Sequence, residues 1–518
     1  MRYYFLFVHP CLPLVDEGEF MHSLEMSLGA AGQIPLLLFQ AMLFAASCFI
    51  PVDVSRRCGY DSLLSARNDF YTKAKILYES RVEQDALAIS QAAVLLSHFT
   101  SDQEPYANSG WLHIAVRHAM LIQAHQYHCI GPATRRAELK RLWWCCLIRD
   151  RIIALGMRRP LQIPKVEPGV CRHLLSPGDV LGKTVGLLSY SPRVKHILSQ
   201  TMRCLCHFVI TVTDLVALLY PQQPRRAECD ARSGHALLRR LDEARFTLHC
   251  WEMEWMAHLE GDYTALHPNI TLFCNLVGIY YQSARIALCN KVCSVSVLSK
   301  SPFVNVENVQ DCQLEICSAT ERIVSKIRQL KTLGLTGKLP ISAAACTLLP
   351  EILLSISNSC AVLPGERTYN HTSRAMLSEV HSLMQSKVHS KLGVNLISQA
   401  LSLFERCRHG CSPRPDGDDD DHRLFGLSKQ RVSASLDIKV YVALVRFIDL
   451  SLSTEKVTEQ NLTSCSPADN RLLRAVQTPG DTQSCAAAEH PVWMEALGDF
   501  FFGQGAQLRI PSPHSHSH

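Results

Sequence analysis

The segment from Arg135 to Pro164, RRAELKRLWWCCLIRDRIIALGMRRPLQIP, constrains the fold of this 518-residue chain more than any other. Apolar residues recur in it at three- and four-residue spacing, which predicts one helix that ends at Gly156 before an extended, proline-ended segment. Apolar residues also occupy the opposite side of this helix, so we expect it to be buried within a larger helical domain. Its charged residues Arg149, Asp150 and Arg151 then need partners, either in each other or in neighbouring helices.

The basic residues of this segment allow two interpretations. Lysine and arginine neutralise phosphates, as they do in a helix that binds DNA. A DNA-reading helix, however, rarely buries two adjacent tryptophans such as Trp143 and Trp144 together with several aliphatic side chains. We therefore favour a buried helix whose arginines pair inside the protein or extend their charged ends to its surface.

Composition indicates a folded, helical chain. Apolar residues make up 47% of the sequence and charged residues 19%, which is enough apolar material for a sizeable core and argues against global disorder. Helical periodicity recurs along the chain, whereas alternating strand patterns are scarce, so the predicted fold class is all-α. The net charge of +5 is too small to indicate a general nucleic-acid binder.

The 22 cysteines are scattered, and many lie within apolar stretches. This distribution is typical of reduced thiols that pack as small apolar side chains. No two cysteines have the Cys-x-x-Cys spacing that thiolate zinc sites commonly use. The sequence therefore assigns no metal-binding residue.

A series of sequence blocks surrounds the Trp143-Trp144 helix in a fixed order. The blocks are YYFLFVHPCLPLVDEGEF (Tyr3–Phe20), LLLFQAMLFAASCFI (Leu36–Ile50), DFYTKAKILYE (Asp69–Glu79), QAAVLLSH (Gln91–His98), WLHIAVRHAM (Trp111–Met120) and NLVGIYYQSARIALCN (Asn275–Asn290). Together with KRLWW, IRDR and ALGMRRP of the helix, they resemble the middle homology region of fungal-specific transcription factors, and within that family the cutinase transcription factor 1 beta-like regulators. The resemblance covers roughly residues 1 to 400.

The resemblance implies a nuclear transcription regulator, not an enzyme, with a large multi-helix regulatory domain. Family members usually carry an N-terminal zinc cluster of six cysteines that holds a DNA-contacting helix, and this sequence begins directly with the regulatory domain. Zinc is therefore expected only if a missing N-terminal segment supplies that cluster. Otherwise we expect DNA to be reached through a protein partner, in a homodimer or in a heterodimer with a DNA-binding regulator, and we expect coregulators to bind. The regulated genes are expected to be metabolic or secondary-metabolite genes, as is usual for the family.

The sequence assigns no catalytic, cofactor-binding, metal-binding or DNA-binding residue. It predicts instead a set of residues that carry the fold, in the central helix and at the start of the domain. These residues are Trp143, Trp144, Arg149, Asp150, Arg151, His9 and Pro10.

Three regions are predicted along the chain. Residues 1–405 form the regulatory domain, 406–425 form an acidic Pro/Gly linker, and 426–518 form a C-terminal region with one helix, Ile438 to Leu452, and a largely irregular tail. Within the tail, EHPVWMEALGDFFF (Glu489–Phe502) resembles short acidic and aromatic activation peptides, although a final packed helix fits the same pattern equally well.

Other functions fit isolated parts of the sequence. The cluster Asp418 to Asp421 allows an all-α terpenoid-type enzyme that binds magnesium diphosphate, but it lies among Pro415 and Gly417 in a stretch typical of a solvated linker. Ile34 to Val52 has no charge over 19 residues, which is the lower range for a membrane span. We favour a core helix there and predict no membrane partner.

The heptad spacing of Ile316, Ile323 and Leu330 could form a dimer seam. Only about two heptads are present, fewer than a sustained coiled coil needs. Core packing within the chain is therefore the favoured interpretation.

Overall fold

The computed structural model describes residues 1–27, 34–181, 189–222, 231–298, 306–360, 364–388, 390–410 and 438–457. These residues form 18 α-helices and no β-strand, which confirms the predicted all-α class. The helices are α1 (Arg2–Phe7), α2 (Glu17–Ser27), α3 (Leu36–Ser47), α4 (Val52–Arg57), α5 (Leu63–Glu79), α6 (Ala86–Leu96), α7 (Ala107–Leu121), α8 (Ala133–Met157), α9 (Pro168–Arg172), α10 (Pro177–Leu181), α11 (Pro192–Leu219), α12 (Ala231–Leu259), α13 (Pro268–Leu298), α14 (Val306–Thr332), α15 (Ser342–Cys360), α16 (Pro364–Gln385), α17 (Leu392–Gly410) and α18 (Ile438–Thr454). Short 3-10 helices lie at Ala124–Cys129 and Thr336–Lys338.

Several helices begin where the local sequence supplies a capping side chain. Ser62 precedes α5 and its hydroxyl accepts a hydrogen bond from a backbone N–H of the first turn at 3.0 Å. Asp85 caps α6 in the same way through both carboxylate oxygens. Ser191 caps α11, whose first residue is Pro192, an amino acid that needs no backbone donor at that position.

Two helices, α8 and α13, lie at the centre of the fold. The helix α8 contacts α6, α7, α10, α11, α13, α15 and α18, whereas α13 contacts α8, α11, α12, α14, α15 and α18. Every residue from Arg141 to Gly156 in α8 is buried. The prediction that this helix lies inside a larger helical domain is therefore confirmed, and the burial of Arg141 to Gly156 on all sides excludes the DNA-reading alternative for that part of the helix.

The prediction that α8 ends at Gly156 is wrong. The helix continues through Met157, and Arg158 adopts the left-handed conformation at its C-terminal cap, with φ 57°. Gly156 lies against α15 instead, where a Cβ atom would be 3.2 Å from the Cβ of Ala345. The glycine thus permits the close approach of α8 and α15. In the sequence, a glycine needed for close helix packing looks the same as a glycine that ends a helix.

Arg158 and Arg159 fasten α18 to the C-terminal end of α8. Arg158 Nε donates to Asp449 Oδ1 on α18 at 3.0 Å. Arg159 Nη2 donates to Glu455 Oε1 at 2.7 Å, and its Nη1 donates to Asn108 Oδ1 on α7 at 2.8 Å. Both guanidinium groups are buried. Two consecutive arginines therefore join elements that are almost 300 residues apart in sequence.

Two apolar segments, for which a dimer seam and a membrane span were the alternatives, pack in the core of the protein. Ile316, Ile323 and Leu330 are buried where α14 packs on α13 and α16, so they are not available as a dimer seam. Within Ile34 to Val52 the helix α3 is 12 residues long, shorter than the roughly 20 residues that a membrane span needs, and it packs on α5 and α6.

One described helix, α11, is long and apolar enough to cross a membrane by length and composition alone. Two thirds of its most apolar window, 67%, is buried inside the protein. That burial is the behaviour of a core helix, and such a helix passes the same test of composition.

The C-terminal part of the chain is described only in pieces. The helix α17 continues through Gly410, five residues into the predicted linker, and α18 coincides with the predicted helix at Ile438. The rest of the linker, the cluster Asp418 to Asp421 and the peptide Glu489 to Phe502 lie outside the described residues. The division of the chain into three regions stays a prediction.

Replacing Arg159 by lysine tests the junction between α8 and α18. The change keeps a positive charge but removes the planar fork that reaches Glu455, Asn108 and the Ser453 carbonyl at once. We expect the free energy of unfolding in urea to fall by about 2–3 kcal/mol, because several buried acceptors lose their donors. The matched control is Arg57→Lys, whose partner Asp53 is 73% exposed and whose pair should contribute little. Equal unfolding free energies for the two variants would contradict this role.

Candidate functional site

The two adjacent tryptophans of α8 are held by neighbouring aromatic residues. Trp144 is fully buried, and its Nε1 donates to the hydroxyl of Tyr127 at 3.1 Å. That hydroxyl donates in turn to the backbone carbonyl of His173 at 2.6 Å. Trp143 packs against the ring of His125 on the other side, with ring centroids 5.8 Å apart. Both tryptophan side chains therefore pack inside the protein, which agrees with the structural role predicted for them.

Asp150 holds both its own helix and the segment that follows it. Its Oδ2 accepts a hydrogen bond from Arg151 Nη1 at 2.8 Å, and the exposed fractions of the two side chains are 2% and 0%. The carboxylate also accepts from the backbone N–H groups of Gln162 and Ile163, at 2.9 and 3.1 Å. Arg151 Nε reaches Thr213 Oγ1 on α11 at 3.2 Å. One carboxylate thus satisfies a buried cation and two backbone donors.

His9 and Pro10 are buried in the turn that follows α1. The ring of His9 packs against Phe5, with centroids 5.3 Å apart. Burial lowers the pKa of His9 to about 4, against the opposing influence of the nearby Glu17 carboxylate. The side chain is therefore neutral at physiological pH, and it serves the packing of the N-terminal turn.

A small cavity opens next to this turn, between the first eight helices and the later ones. Its volume is about 70 Å³. Its apolar wall comes from α1, the end of α3, α8, α13 and the residues just before α15. The principal apolar lining residues are Phe7, Ala45, Phe49, Ile152, Leu276 and Leu339. The hydroxyl groups of Tyr280 and Ser342, which are 2.7 Å apart, form a neutral polar part of the wall.

Three cationic side chains line the same cavity: Arg67 from α5, Arg149 from α8 and Lys387 from the turn after α16. All three are buried. Arg149 donates through Nε and Nη2 to the hydroxyl and the carbonyl of Ser97, at 3.0 and 2.9 Å. Arg67 Nη2 donates to the carbonyl of His98 at 2.7 Å. These partners are neutral, and no carboxylate among the described residues lies within ion-pair distance of the three cations.

A fourth cation stands beside the cavity. Lys338 Nζ donates to the carbonyl of Phe49 at 2.7 Å, and Lys387 Nζ donates to the carbonyl of Gly337 at 2.5 Å. Lys387 in the wall and Lys338 beside it therefore place positive charge on the side of the cavity near the 3-10 helix at Thr336–Lys338. The result is a wall that carries positive charge, with acceptors supplied by the backbone.

The charges of this site act on one another. The pKa of Lys387 is lowered to about 8, mainly by burial and in part by the positive charges of Lys338 and Arg67, against the opposing influence of Cys48. Burial also lowers the pKa of Arg149 to about 10. His98 has a pKa well below its usual range, because of burial and the adjacent Arg149 charge, and is neutral. The cavity is thus an electropositive site, and near physiological pH Lys387 is in equilibrium between its charged and neutral forms.

Three buried cysteines form a second group of polar contacts, which was not predicted from the sequence. Cys289 and Cys293 lie one turn apart on α13, and their thiols hydrogen-bond to Cys312 on α14. Those hydrogen bonds lower the pKa of Cys312, and the guanidinium of Arg245, 3.1 Å from its sulfur, acts in the same direction. The only sequence signal was the four-residue spacing of the first two cysteines. Within the described ranges, no set of three or more histidine, cysteine or acidic side chains is arranged to hold a metal ion.

The sequence comparisons concern the N-terminal third of the chain. Residues 1–167 match a family model described as the fungal specific transcription factor domain. The match contains α1 to α8 and ends before α9, so it includes Arg67 and Arg149 but not Lys387 or the block Asn275–Asn290. The predicted resemblance is confirmed for these residues.

Similar proteins align with the same region. Cutinase transcription factor 1 beta of Fusarium vanettenii is 35% identical over 167 residues, which are 32% of this chain and 19% of that protein. A protein named Transcription factor from Fusarium pseudograminearum (strain CS3096) is 33% identical over 184 residues, 35% of this chain and 20% of that protein. The fusaric acid cluster transcription factor FUB12 of Fusarium oxysporum f. sp. lycopersici is 28% identical over 173 residues, 32% of this chain and 25% of that protein. The similarity spans a fifth to a quarter of the length of these relatives.

Replacing Asp150 by alanine tests the central charge pair. The change leaves Arg151 charged in a dry environment and strands the N–H groups of Gln162 and Ile163. We expect the free energy of unfolding to fall by about 3–5 kcal/mol, or the chain to become insoluble. Asp150→Asn keeps an acceptor oxygen and should lose less. A soluble Asp150→Ala protein with an unchanged melting temperature would contradict this role, and Asp53→Ala, at an exposed ion pair, is the control.

Replacing Lys387 by methionine tests the electropositive site. Lys387 has a pKa of about 8 in the folded chain, below the value of about 10.4 of an unfolded lysine. Between these values the unfolded state binds more protons, so the cost of burying the charged lysine is largest below pH 8 and disappears above pH 10. We therefore expect the methionine variant to be more stable than the parent chain at pH 7, with a difference that shrinks as pH rises to 10. Urea denaturation at several pH values measures it, and a difference independent of pH would refute the assignment.

Proposed function

We propose, on the basis of the fungal specific transcription factor domain in residues 1–167, that this chain is a nuclear transcription regulator. The domain match carries the proposal, and the names of the similar proteins support it. In this proposal the helical fold packs and positions regulatory surfaces and carries out no chemical reaction. Neither the domain match nor the similar proteins support the terpenoid-type enzyme.

The proposed targets are metabolic or secondary-metabolite genes. Two similar proteins are named for such roles, one for a cutinase and one for the fusaric acid cluster. This part of the proposal rests on the names of these two proteins and on the target genes that are usual for the family.

The proposed route to DNA is a separate zinc-cluster module, carried by the same polypeptide or by a partner polypeptide. The 518 residues contain no Cys-x-x-Cys pair, so zinc would enter only with that module. The proposed protein partners are a second copy of the chain, a DNA-binding regulator and coregulators. The regulatory domain would bias the activity of whichever module it joins.

A tethering experiment tests the proposal. The full chain is fused to a heterologous DNA-binding domain in a fungal host, and a reporter gene with intermediate basal expression is placed under the cognate sites. We expect reporter output to change severalfold relative to the DNA-binding domain alone, upward for an activator and downward for a repressor. A fluorescent version of the chain is expected in the nucleus of the same cells.

Two variants make the result interpretable. Asp150→Ala should abolish the change in reporter output, because it disrupts the regulatory fold, whereas Arg57→Lys should leave it intact. Unchanged reporter output with a soluble, nuclear parent chain would count against a regulatory function. Cytoplasmic retention of a folded chain would count against nuclear action.

A further inference from the structure

Two groups of buried cations in the described structure differ in their compensation; Arg141 and Lys326, which are buried singly and form no ion pair there, belong to neither group. In the first group each cation contacts a carboxylate: Arg151 with Asp150 at 2.8 Å, Arg158 with Asp449 at 3.0 Å, Arg159 with Glu455 at 2.7 Å and Lys195 with Glu17 at 2.5 Å. These contacts follow the general rule that buried charges are paired. This first group shows how a buried cation is compensated in this fold.

The second group, Arg67, Arg149 and Lys387, departs from that rule with three cations around one cavity. All three line the same cavity, and no carboxylate among its lining residues or elsewhere in the described structure forms an ion pair with them. Their hydrogen bonds go to backbone carbonyls, the Ser97 hydroxyl and the Cys48 sulfur. Three buried positive charges around one space, with Lys338 beside them, need a negative charge that the described chain does not supply.

The cavity itself defines the size and the character of the missing anion. At about 70 Å³ it offers room for about five to seven non-hydrogen atoms, since one water-sized position takes roughly 10–15 Å³ on this measure. Most of its wall is apolar, with Phe7 from α1, Phe49 just after α3 and Leu339 just before α15. A bare inorganic anion would leave this apolar wall without contacts. An apolar body that carries one anionic end fits both parts of the site.

We propose that this cavity binds a small aliphatic monocarboxylate, with the carboxylate between Arg149, Arg67 and Lys387 and the short chain against Phe7, Phe49 and Leu339. Arginine presents two donors to a carboxylate in a matching geometry. Arg149 uses only Nε and Nη2 on Ser97, and Nη1 forms no hydrogen bond within the described structure. The hydroxyl groups of Tyr280 and Ser342 stand in the same wall as further donors.

The position of the cavity links this ligand to regulation, and that step rests on the proposed function. Arg67 and Arg149 belong to the fungal specific transcription factor domain in residues 1–167, whereas Lys387 and Ser342 come from outside the matched region. A carboxylate bound between them adds charge-assisted contacts across this junction. Binding would therefore stabilise one arrangement of the two parts of the chain, which is what a small effector must do to change the output of a regulator.

Calorimetry and thermal unfolding of the purified full chain test the binding without reference to transcription. The probes are acetate, butyrate and hexanoate, with butyramide as the neutral counterpart, butylamine as the cationic one and sulfate as an anion without an apolar body. We expect butyrate to bind and to raise the melting temperature, and we expect butyramide, butylamine and sulfate to have no comparable effect. Absence of binding by all three carboxylates, or equal effects of butyrate with butyramide or with sulfate, would overturn the proposal.

Variants separate the charge of the site from its shape. Lys387→Met should weaken butyrate binding about tenfold or more at pH 7, although the variant is expected to be the more stable protein. Ala45→Leu should reduce binding by filling the apolar part while all cations stay in place. Lys331→Met, at a lysine that is 48% exposed and paired with Glu379, is the matched control and should bind like the parent chain. Unchanged affinity in both Lys387→Met and Ala45→Leu would overturn the assignment of this cavity.

The pH dependence gives a readout that loss of folding would not produce. The groups that face Lys387 are Cys48 just after α3, Arg67 from α5 and Lys338 from the 3-10 helix. Because the pKa of Lys387 is about 8, we expect butyrate affinity in the parent chain to fall as pH rises through that value. The same fall should be absent in Lys387→Met. A parent affinity that does not change between pH 7 and pH 9 would exclude Lys387 as a carboxylate-binding cation.

Discussion

The carboxylate of Asp150 is the contact on which the centre of this fold depends. It lies in the middle of α8, which seven other helices surround, and it joins that helix to Arg151, to the extended segment at Gln162–Ile163 and, through Arg151, to α11. Water cannot replace these contacts, because both side chains are almost fully buried. An ion pair of this kind adds little net stability over an apolar replacement, but removal of one partner alone is severe. The pair therefore acts mainly by specifying one arrangement of helices.

The same reasoning explains the arginines at the end of α8. Arg158 and Arg159 directly follow the helix. Arg158 contacts the carboxylate of Asp449 on α18, and Arg159 contacts that of Glu455 just beyond α18. The left-handed conformation of Arg158 turns the chain so that both side chains point in the required directions. Arg158 and Arg159, two of the basic residues that suggest a nucleic-acid site in the sequence, are thus internal connections in the structure. Their charges are compensated by Asp449 and Glu455, so these two residues contribute little external electrostatic field for phosphates.

The sequence predicted the helical class and the burial of α8, because both depend on local periodicity. From the cost of burying charge it also predicted that Arg149, Asp150 and Arg151 need partners, in each other or in neighbouring helices, and the structure pairs Asp150 with Arg151. The predicted helix end at Gly156 was wrong, because this glycine makes room for Ala345 of α15, a contact that exists only in the tertiary structure. The sequence also predicted the same structural role for Arg149 as for Arg151, two residues along the same helix. Their difference lies in what surrounds each side chain, Asp150 in one case and a cavity in the other. No periodicity within α8 contains that information, and the contribution of Lys387 comes from more than 200 residues away.

The contrast between Arg149 and Arg151 also bears on why the cavity exists at all. A chain under no other constraint could remove the cost of an uncompensated cation by a single change, for instance an apolar residue in place of Lys387, and would gain stability. Places where a protein keeps an unfavourable local arrangement in an otherwise consistent fold are commonly functional sites. Here three such cations, from α5, α8 and the turn after α16, converge on one space whose remaining wall is mostly apolar. Independent elements would not supply the same sign of charge to one cavity through packing requirements alone, since packing is satisfied equally by neutral side chains. The charge is therefore best understood as half of an interaction whose other half arrives with a ligand.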